Sequence, residues 1–136
     1  MSKILAIDFG TKRTGFAISD ESKIFAFGLS TQETKNNISY LETIIPKEKI
    51  DTIVIGLPKH LNNELADIVP VIELFKRQLK NKFPEIKIID VDERFTSKMA
   101  FQSMIDAGMK KKDRQNKALI DEISATIILQ SFLESL

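Results

Sequence analysis

A chain of 136 residues is long enough for one compact domain and leaves little room for a second. An apolar fraction of 43% supports a core and a charged fraction of 29% a hydrated surface, while a formal net charge of +1 excludes nucleic-acid binding by bulk charge, so any such contact needs a local patch. The absence of cysteine excludes disulfides, thiolate zinc sites and cysteine nucleophiles, and the single histidine, His60, excludes a multi-histidine metal centre within one chain.

Residues 4–7 are an apolar run stopped by Asp8-Phe9-Gly10, which predicts a buried strand. The run is too short for a signal peptide and no stretch approaches a membrane span, so a cytoplasmic protein with no membrane partner is expected. Residues 14–19 and 24–29 predict the second and third strands, and the short joins 9–13 and 20–23 make the three an antiparallel meander. Asn36-Asn37 starts a helix with Ile38, Leu41, Ile44 and Ile45 on one face, ending before Pro46. Residues 52–55 predict a fourth strand, closed by Gly56-Leu57-Pro58.

Ile68, Ile72, Phe75, Leu79 and Phe83, three or four apart, then predict a long helix with Asp67 as N-cap and Pro70 in its first turn. Residues 86–91 predict a fifth strand ended by Asp92-Glu93-Arg94, and residues 96–107 a helix stopped by Gly108. A basic segment, 110–117, leads into a last helix over about 119–133. The order β-β-β-α-β-α-β-α-α predicts an α/β domain over 1–136, one mixed sheet with helices on its faces.

Three acids stand at telling places: Asp8 closes the first strand, Glu93 follows the last, and Asp121 lies near the start of the final helix. Sites in such sheets form beyond the carboxyl ends of the parallel strands. Asp8 and Glu93 therefore open on one edge, and Asp121 joins them if the last helix crosses it, which the small Ser124 and Ala125 favour. Singly, each has a plainer reading. Asp8 could cap a turn, Glu93 could pair with Arg94 or a surface lysine, and an acid at Asp121 suits a helix dipole anyway. Together, three carboxylates without histidine or cysteine suit a hard cation, Mg²⁺ or Mn²⁺, and phosphoryl chemistry.

Basic residues lie where a phosphate backbone would need them. Lys12 and Arg13 occupy the turn after Asp8. From 98 to 117 the chain carries Lys98, Lys110, Lys111, Lys112, Arg114 and Lys117 against Asp106 and Asp113, a local net charge of +4. A solvated charged loop is the plain alternative. With no Trp and one Tyr, base stacking is not signalled. His60 sits beyond the fourth strand on the same presumed edge and reads as a solvated loop residue. The turn from Gly10 to Gly15 has neither P-loop nor Rossmann spacing.

The strings Ala6-Ile7-Asp8-Phe9-Gly10-Thr11-Lys12-Arg13-Thr14-Gly15, Ile55-Gly56-Leu57-Pro58, Asp92-Glu93-Arg94-Phe95-Thr96 and Asp121-Glu122-Ile123-Ser124-Ala125-Thr126, in that order, resemble the YqgF family, also called RuvX, over nearly the whole chain. The resemblance implies an RNase H-like fold with sheet order 3-2-1-4-5 and helices on both faces. It implies a nuclease that processes the 5′ end of pre-16S ribosomal RNA or resolves Holliday junctions, with Asp8, Glu93 and Asp121 as catalytic and metal-holding acids. Related resolvases carry their second acid at the end of the fourth strand. Here Gly56 stands there, without a side chain to block Glu93 from the neighbouring strand. The loop from Lys59 to Glu64 lacks the family's usual glycine turn.

The expected protein is thus a metal-dependent endonuclease acting on pre-rRNA or branched DNA, ribosome-associated, as a monomer or weak homodimer. Lys12, Arg13, Arg94, Lys110, Lys111, Lys112, Arg114 and Lys117 would contact substrate. A non-catalytic nucleic-acid-binding module is the second reading. An actin-like or sugar-kinase-like ATP binder is the third, disfavoured because such proteins use two domains.

Overall fold

The computed structural model describes residues 2–57, 63–92 and 117–136, with side chains at 2–56, 68–91 and 121–136. The elements are β1 (Lys3–Asp8), β2 (Arg13–Ser19), β3 (Ala26–Glu33), a 3-10 turn (Thr34–Asn36), α1 (Asn37–Glu48), β4 (Ile50–Leu57), α2 (Asn63–Lys82), β5 (Lys87–Asp92) and α3 (Lys117–Glu134). The five strands form one sheet in the order β3-β2-β1-β4-β5. β1–β2 and β2–β3 are antiparallel, and β1–β4 and β4–β5 are parallel, as the meander and the helical crossovers require. The predicted helix over 96–107, residues 59–62 and the basic segment before Lys117 lie outside the described residues.

The alternation of strand side chains divides the core in two. Leu5, Ile7, Phe16, Ile18, Ile53 and Ile55 face α1 and α2, where they bury Leu41, Ile44, Ile45, Ile72, Phe75 and Leu79. Ile4, Ala6, Ala17 and Val54 face the other way and meet Ala125, Ile128, Leu129 and Leu133 of α3. Helices therefore cover both faces. The α1/α2 face carries large side chains, and the α3 face carries small ones.

Several boundaries differ from the sequence expectation, β3 and β4 running further than predicted, and three of the differences bear on side-chain chemistry or proline placement. The third strand begins at Ala26 because the Asp20 carboxylate accepts the N–H groups of Ile24 and Phe25, at 2.8 and 3.1 Å, and draws both into the turn. Those backbone donors hold the Asp20 carboxyl below its usual range. α1 runs through Pro46 to Glu48, because the ring removes a single N–H near the helix end, and Lys49 then closes the helix in the left-handed region, its N–H on the Ile45 carbonyl. α2 begins at Asn63, so Pro70 stands inside the helix and not in its first turn. Leu65 continues the apolar spacing upstream of Ile68, a sign of the extra turn that the choice of Asp67 as N-cap passes over.

α2 is pinned to β5 by Lys76, whose ammonium lies 2.9 Å from Asp90 and 3.3 Å from Glu73. Burial alone would lower the Lys76 pKa, but the Asp90 and then the Glu73 carboxylate outweigh it and raise it above 10.5. A folded-state pKa raised above the unfolded value gives stability that is complete below 10.5 and is lost as pH climbs through the raised value. Lys76→Met is expected to lower unfolding stability by about 1 kcal/mol at neutral pH. Urea titrations should show that deficit shrinking once the pH passes the lysine range.

Candidate active site

Asp8 is the last residue of β1 and lies directly opposite Gly15 of the antiparallel β2. Such opposed residues have Cα atoms roughly 4.5–5.5 Å apart. By alternation from Ile4 and Ala6, Asp8 belongs to the α3 face of the sheet. Arg13, Gly15 and Ala17 share that face on β2.

Gly15 is where α3 reaches the sheet. A β-carbon built there would run into the Asp121 carbonyl oxygen and lie 2.5 Å from its carbon and 3.0 Å from the Glu122 nitrogen. The helix backbone thus rests on the strand with no side chain between them. Gly28 on β3 plays a lesser part, since a β-carbon there would meet the Glu122 carboxylate. Ser124 and Ala125, one turn further along, are buried as the helix descends onto the sheet.

Asp121 is held by a second contact. Arg13 Nε donates to its Oδ2 at 2.9 Å, with the two side chains 39% and 24% exposed. The pair is half open to water, so its net worth is small, below about 1 kcal/mol. Its larger effect is to place a guanidinium beside the carboxylate. Asp8, Arg13 and Asp121 are therefore gathered at the carboxyl end of β1, on the α3 face.

Behind Asp8 a polar cluster faces α1. Thr34, which opens the 3-10 turn, donates its hydroxyl to the Gly10 carbonyl at 2.6 Å and its backbone N–H to the Lys12 carbonyl at 2.9 Å. Thr14 is fully buried beside it, 2.9 Å from Thr34 Oγ1, and receives Asn37 Nδ2 at 3.0 Å. Phe9 turns to the same side and packs on Phe75, ring centroids 5.1 Å apart. The turn after Asp8 is thus anchored by a ring and by hydrogen bonds.

Of the residues singled out from the sequence, Asp8, Arg13 and Asp121 come together. Lys12 is exposed in the same turn. Lys117 opens α3, but its side chain lies outside the described residues, as do Glu93, Arg94, Lys110, Lys111, Lys112 and Arg114 entirely. His60 and the loop that departs from the family pattern also lie outside them. Among the described residues no group of three histidine, cysteine or acidic side chains is gathered. None is a helix long and apolar enough to cross a membrane. The sequence reading missed Thr34, Thr14 and Asn37, whose roles depend on contacts with the Asp8 turn. It quoted Gly15 only as part of a string, although a strand glycine opposite an acid is a signal of close backbone approach.

The family model described as "RuvX: Holliday junction resolvase" matches residues 2–135. A protein of Flavobacterium psychrophilum, named as a candidate pre-16S rRNA nuclease, is 56% identical over 133 residues, covering 98% of this chain and 97% of its own. A protein of Bacteroides thetaiotaomicron with the same name is 54% identical over 135 residues, covering 99% and 98%. Among solved structures, Thermus thermophilus RuvC in complex with a Holliday junction substrate superposes with a TM-score of 0.60 at 13% identity, covering 99% of this chain and 95% of that one. That likeness establishes the RNase H-like fold.

Gly15→Ala is expected to push α3 off the sheet and to lower stability by about 1–3 kcal/mol, the usual range for overpacking. Urea denaturation of the variant measures this. An unchanged midpoint would mean that the helix does not depend on the missing side chain.

Proposed function

Because this chain belongs to the RuvX family of nucleases, we propose that the edge holding Asp8 and Asp121 is its phosphodiester-cleaving centre and that its substrate is the 5′ region of pre-16S rRNA. The observation that carries this reading is the convergence of two acids from the ends of the chain, Asp8 from β1 and Asp121 from α3, through the bare Gly15. The names borne by the relatives support the substrate.

The donor set fits a hard divalent cation. Two carboxylates share one face, with no histidine among the described residues and no cysteine in the chain to favour a softer ion. Asp8 and Asp121 would hold Mg²⁺ or Mn²⁺, with Glu93, next in the chain after the end of β5, as the third acid. The chemistry supplied by the bound ion would be Lewis acidity toward a phosphate oxygen. The chain's own residues do the rest. Asp8 and Asp121 place negative charge at a defined edge. Arg13, already beside Asp121, offers a planar donor fork suited to a phosphate. Lys12, Arg94, Lys110, Lys111, Lys112, Arg114 and Lys117 would hold neighbouring phosphates of the backbone. Action in the cytoplasm in association with the ribosome, as a monomer or weak homodimer, completes the reading.

The family description favours a second substrate, the four-way DNA junction. One assay separates the two. Wild type with Mg²⁺ or Mn²⁺ should cut RNA carrying the 16S 5′ precursor and leave a four-way DNA junction intact. Asp8→Asn keeps the shape and removes the charge. It should slow cleavage more than about 100-fold, since even the outer partners of metal ligands are typically worth 10–100-fold. Equal cleavage by both proteins would overturn the assignment, and junction cutting without RNA cutting would transfer it to the second substrate.

A further inference from the structure

The polar cluster behind Asp8 has a fixed proton direction. Carbonyl oxygens only accept, so the Thr34 hydroxyl proton is committed to the Gly10 oxygen, 2.6 Å away. The 2.9 Å contact between the Thr34 and Thr14 hydroxyls then has a single possible donor, Thr14. With its own proton used, Thr14 can only accept from its other neighbour, which is why Asn37 presents its amide nitrogen, at 3.0 Å. The result is a one-way relay, Asn37 to Thr14 to Thr34 to the Gly10 carbonyl. It has a cost: Asn37 Oδ1 is buried without a hydrogen-bond partner among the described residues.

We propose that Thr34 is a positioning residue for the acidic edge, acting through the Gly10 carbonyl on the turn that follows Asp8, and that Thr14 and Asn37 serve only to orient it. This rests on the reading of Asp8 as a metal-holding acid. Thr34 grips the turn at two carbonyls, Gly10 through its hydroxyl and Lys12 through its backbone N–H at 2.9 Å. Chains of hydrogen bonds polarise one another, so a hydroxyl that accepts from Thr14 donates more strongly to Gly10. Gly10 is two residues from Asp8, and the turn it belongs to ends at Arg13, the partner of Asp121. One contact therefore bears on both acids.

The proposal predicts an order of effects opposite to the order of burial. Thr14 is fully buried and Asn37 is 2% exposed, whereas Thr34 is only partly buried. If the cluster merely stabilised the fold, Thr14→Val and Asn37→Ala would do the most harm everywhere. In the relay, Thr14→Val and Asn37→Ala still leave Thr34 its own proton for Gly10, while Thr34→Val removes that bond and spares the backbone N–H. Thr34→Val should thus weaken Mn²⁺ binding roughly tenfold to a hundredfold, the range for outer partners of metal ligands, with a fall in the urea midpoint no larger than that of Thr14→Val.

The test titrates Mn²⁺ alone into the full chain by calorimetry and follows amide exchange of residues 9–13 and 34. It compares wild type, Thr34→Val, Thr34→Ser, Thr14→Val, Asn37→Ala and Asp8→Asn. Support consists of weak Mn²⁺ binding and fast turn exchange in Thr34→Val, rescue of both in Thr34→Ser, and smaller local effects in Thr14→Val and Asn37→Ala despite lower global stability. Wild-type Mn²⁺ affinity in Thr34→Val, where Asp8→Asn has lost it, overturns the proposal. Affinity unchanged in both would instead show that Asp8 does not hold the ion, so the failure falls on the functional reading. Losses that follow burial overturn the relay and leave an ordinary buried cluster.

Discussion

The backbone of α3 rests on the sheet at a bare position, Gly15, and the α3 face is arranged around that contact. The position lies opposite Asp8 by strand register, so the helix that reaches it delivers Asp121 to the same neighbourhood. It also fixes where the helix goes next. From there Ala125, Ile128, Leu129 and Leu133 follow at three- or four-residue spacing and bury against Ile4, Ala6, Ala17 and Val54. The smallness of Ala6 and Ala17 suits a helix lying close over the strands. Core packing and site assembly on this face are consequently one interaction, and a change that loosens either loosens both.

The two faces of the sheet divide the work of holding Asp8. On the α1/α2 side, large residues and Phe9 fix the end of β1, and Thr34 fixes the turn that follows it. On the α3 side, the partner acid meets a counter-charge at the start of β2. Asp8 and Asp121 carry the same sign on one face, and like charges that share a face repel. The guanidinium of Arg13 offsets this for Asp121, at 2.9 Å. The pair adds little net stability at its exposure. Its consequence is that α3 docks on the acidic edge with a guanidinium beside Asp121.

Much of this was legible in the sequence. Asp8 declared itself because a charge that ends an apolar run has few structural reasons to be there. The sheet order followed from short joins between the first three strands and helical crossovers between the others. Asp121 was legible only conditionally, since an acid early in a helix satisfies the dipole in any fold. Gly15 could not be weighed, because a strand glycine acquires its meaning from a helix more than a hundred residues away. The same holds for Asn37, which reads as a helix start but spends its side chain on Thr14. Asp20 shows the complementary failure: a local side chain captured two backbone N–H groups and took Ile24 and Phe25 out of the strand their pattern predicted.

Proline placement carries the same lesson in energetic form. Pro46 and Pro70 each remove one backbone donor, yet both helices continue through them. A lost hydrogen bond is a local cost, whereas the burial of Leu41, Ile44 and Ile45 in α1, and of Ile72, Phe75 and Leu79 in α2, is shared along the helix. Where the apolar face is large, it carries the helix past the proline. In the Asp8 turn that reserve ends at Phe9: beyond it, exposed Lys12 and the bare Gly10 add no apolar side chain to the core. Hydrogen bonds to the two carbonyls hold the part of the turn that the Phe9 ring does not reach, which is the physical reason for a directed polar cluster behind the acidic edge.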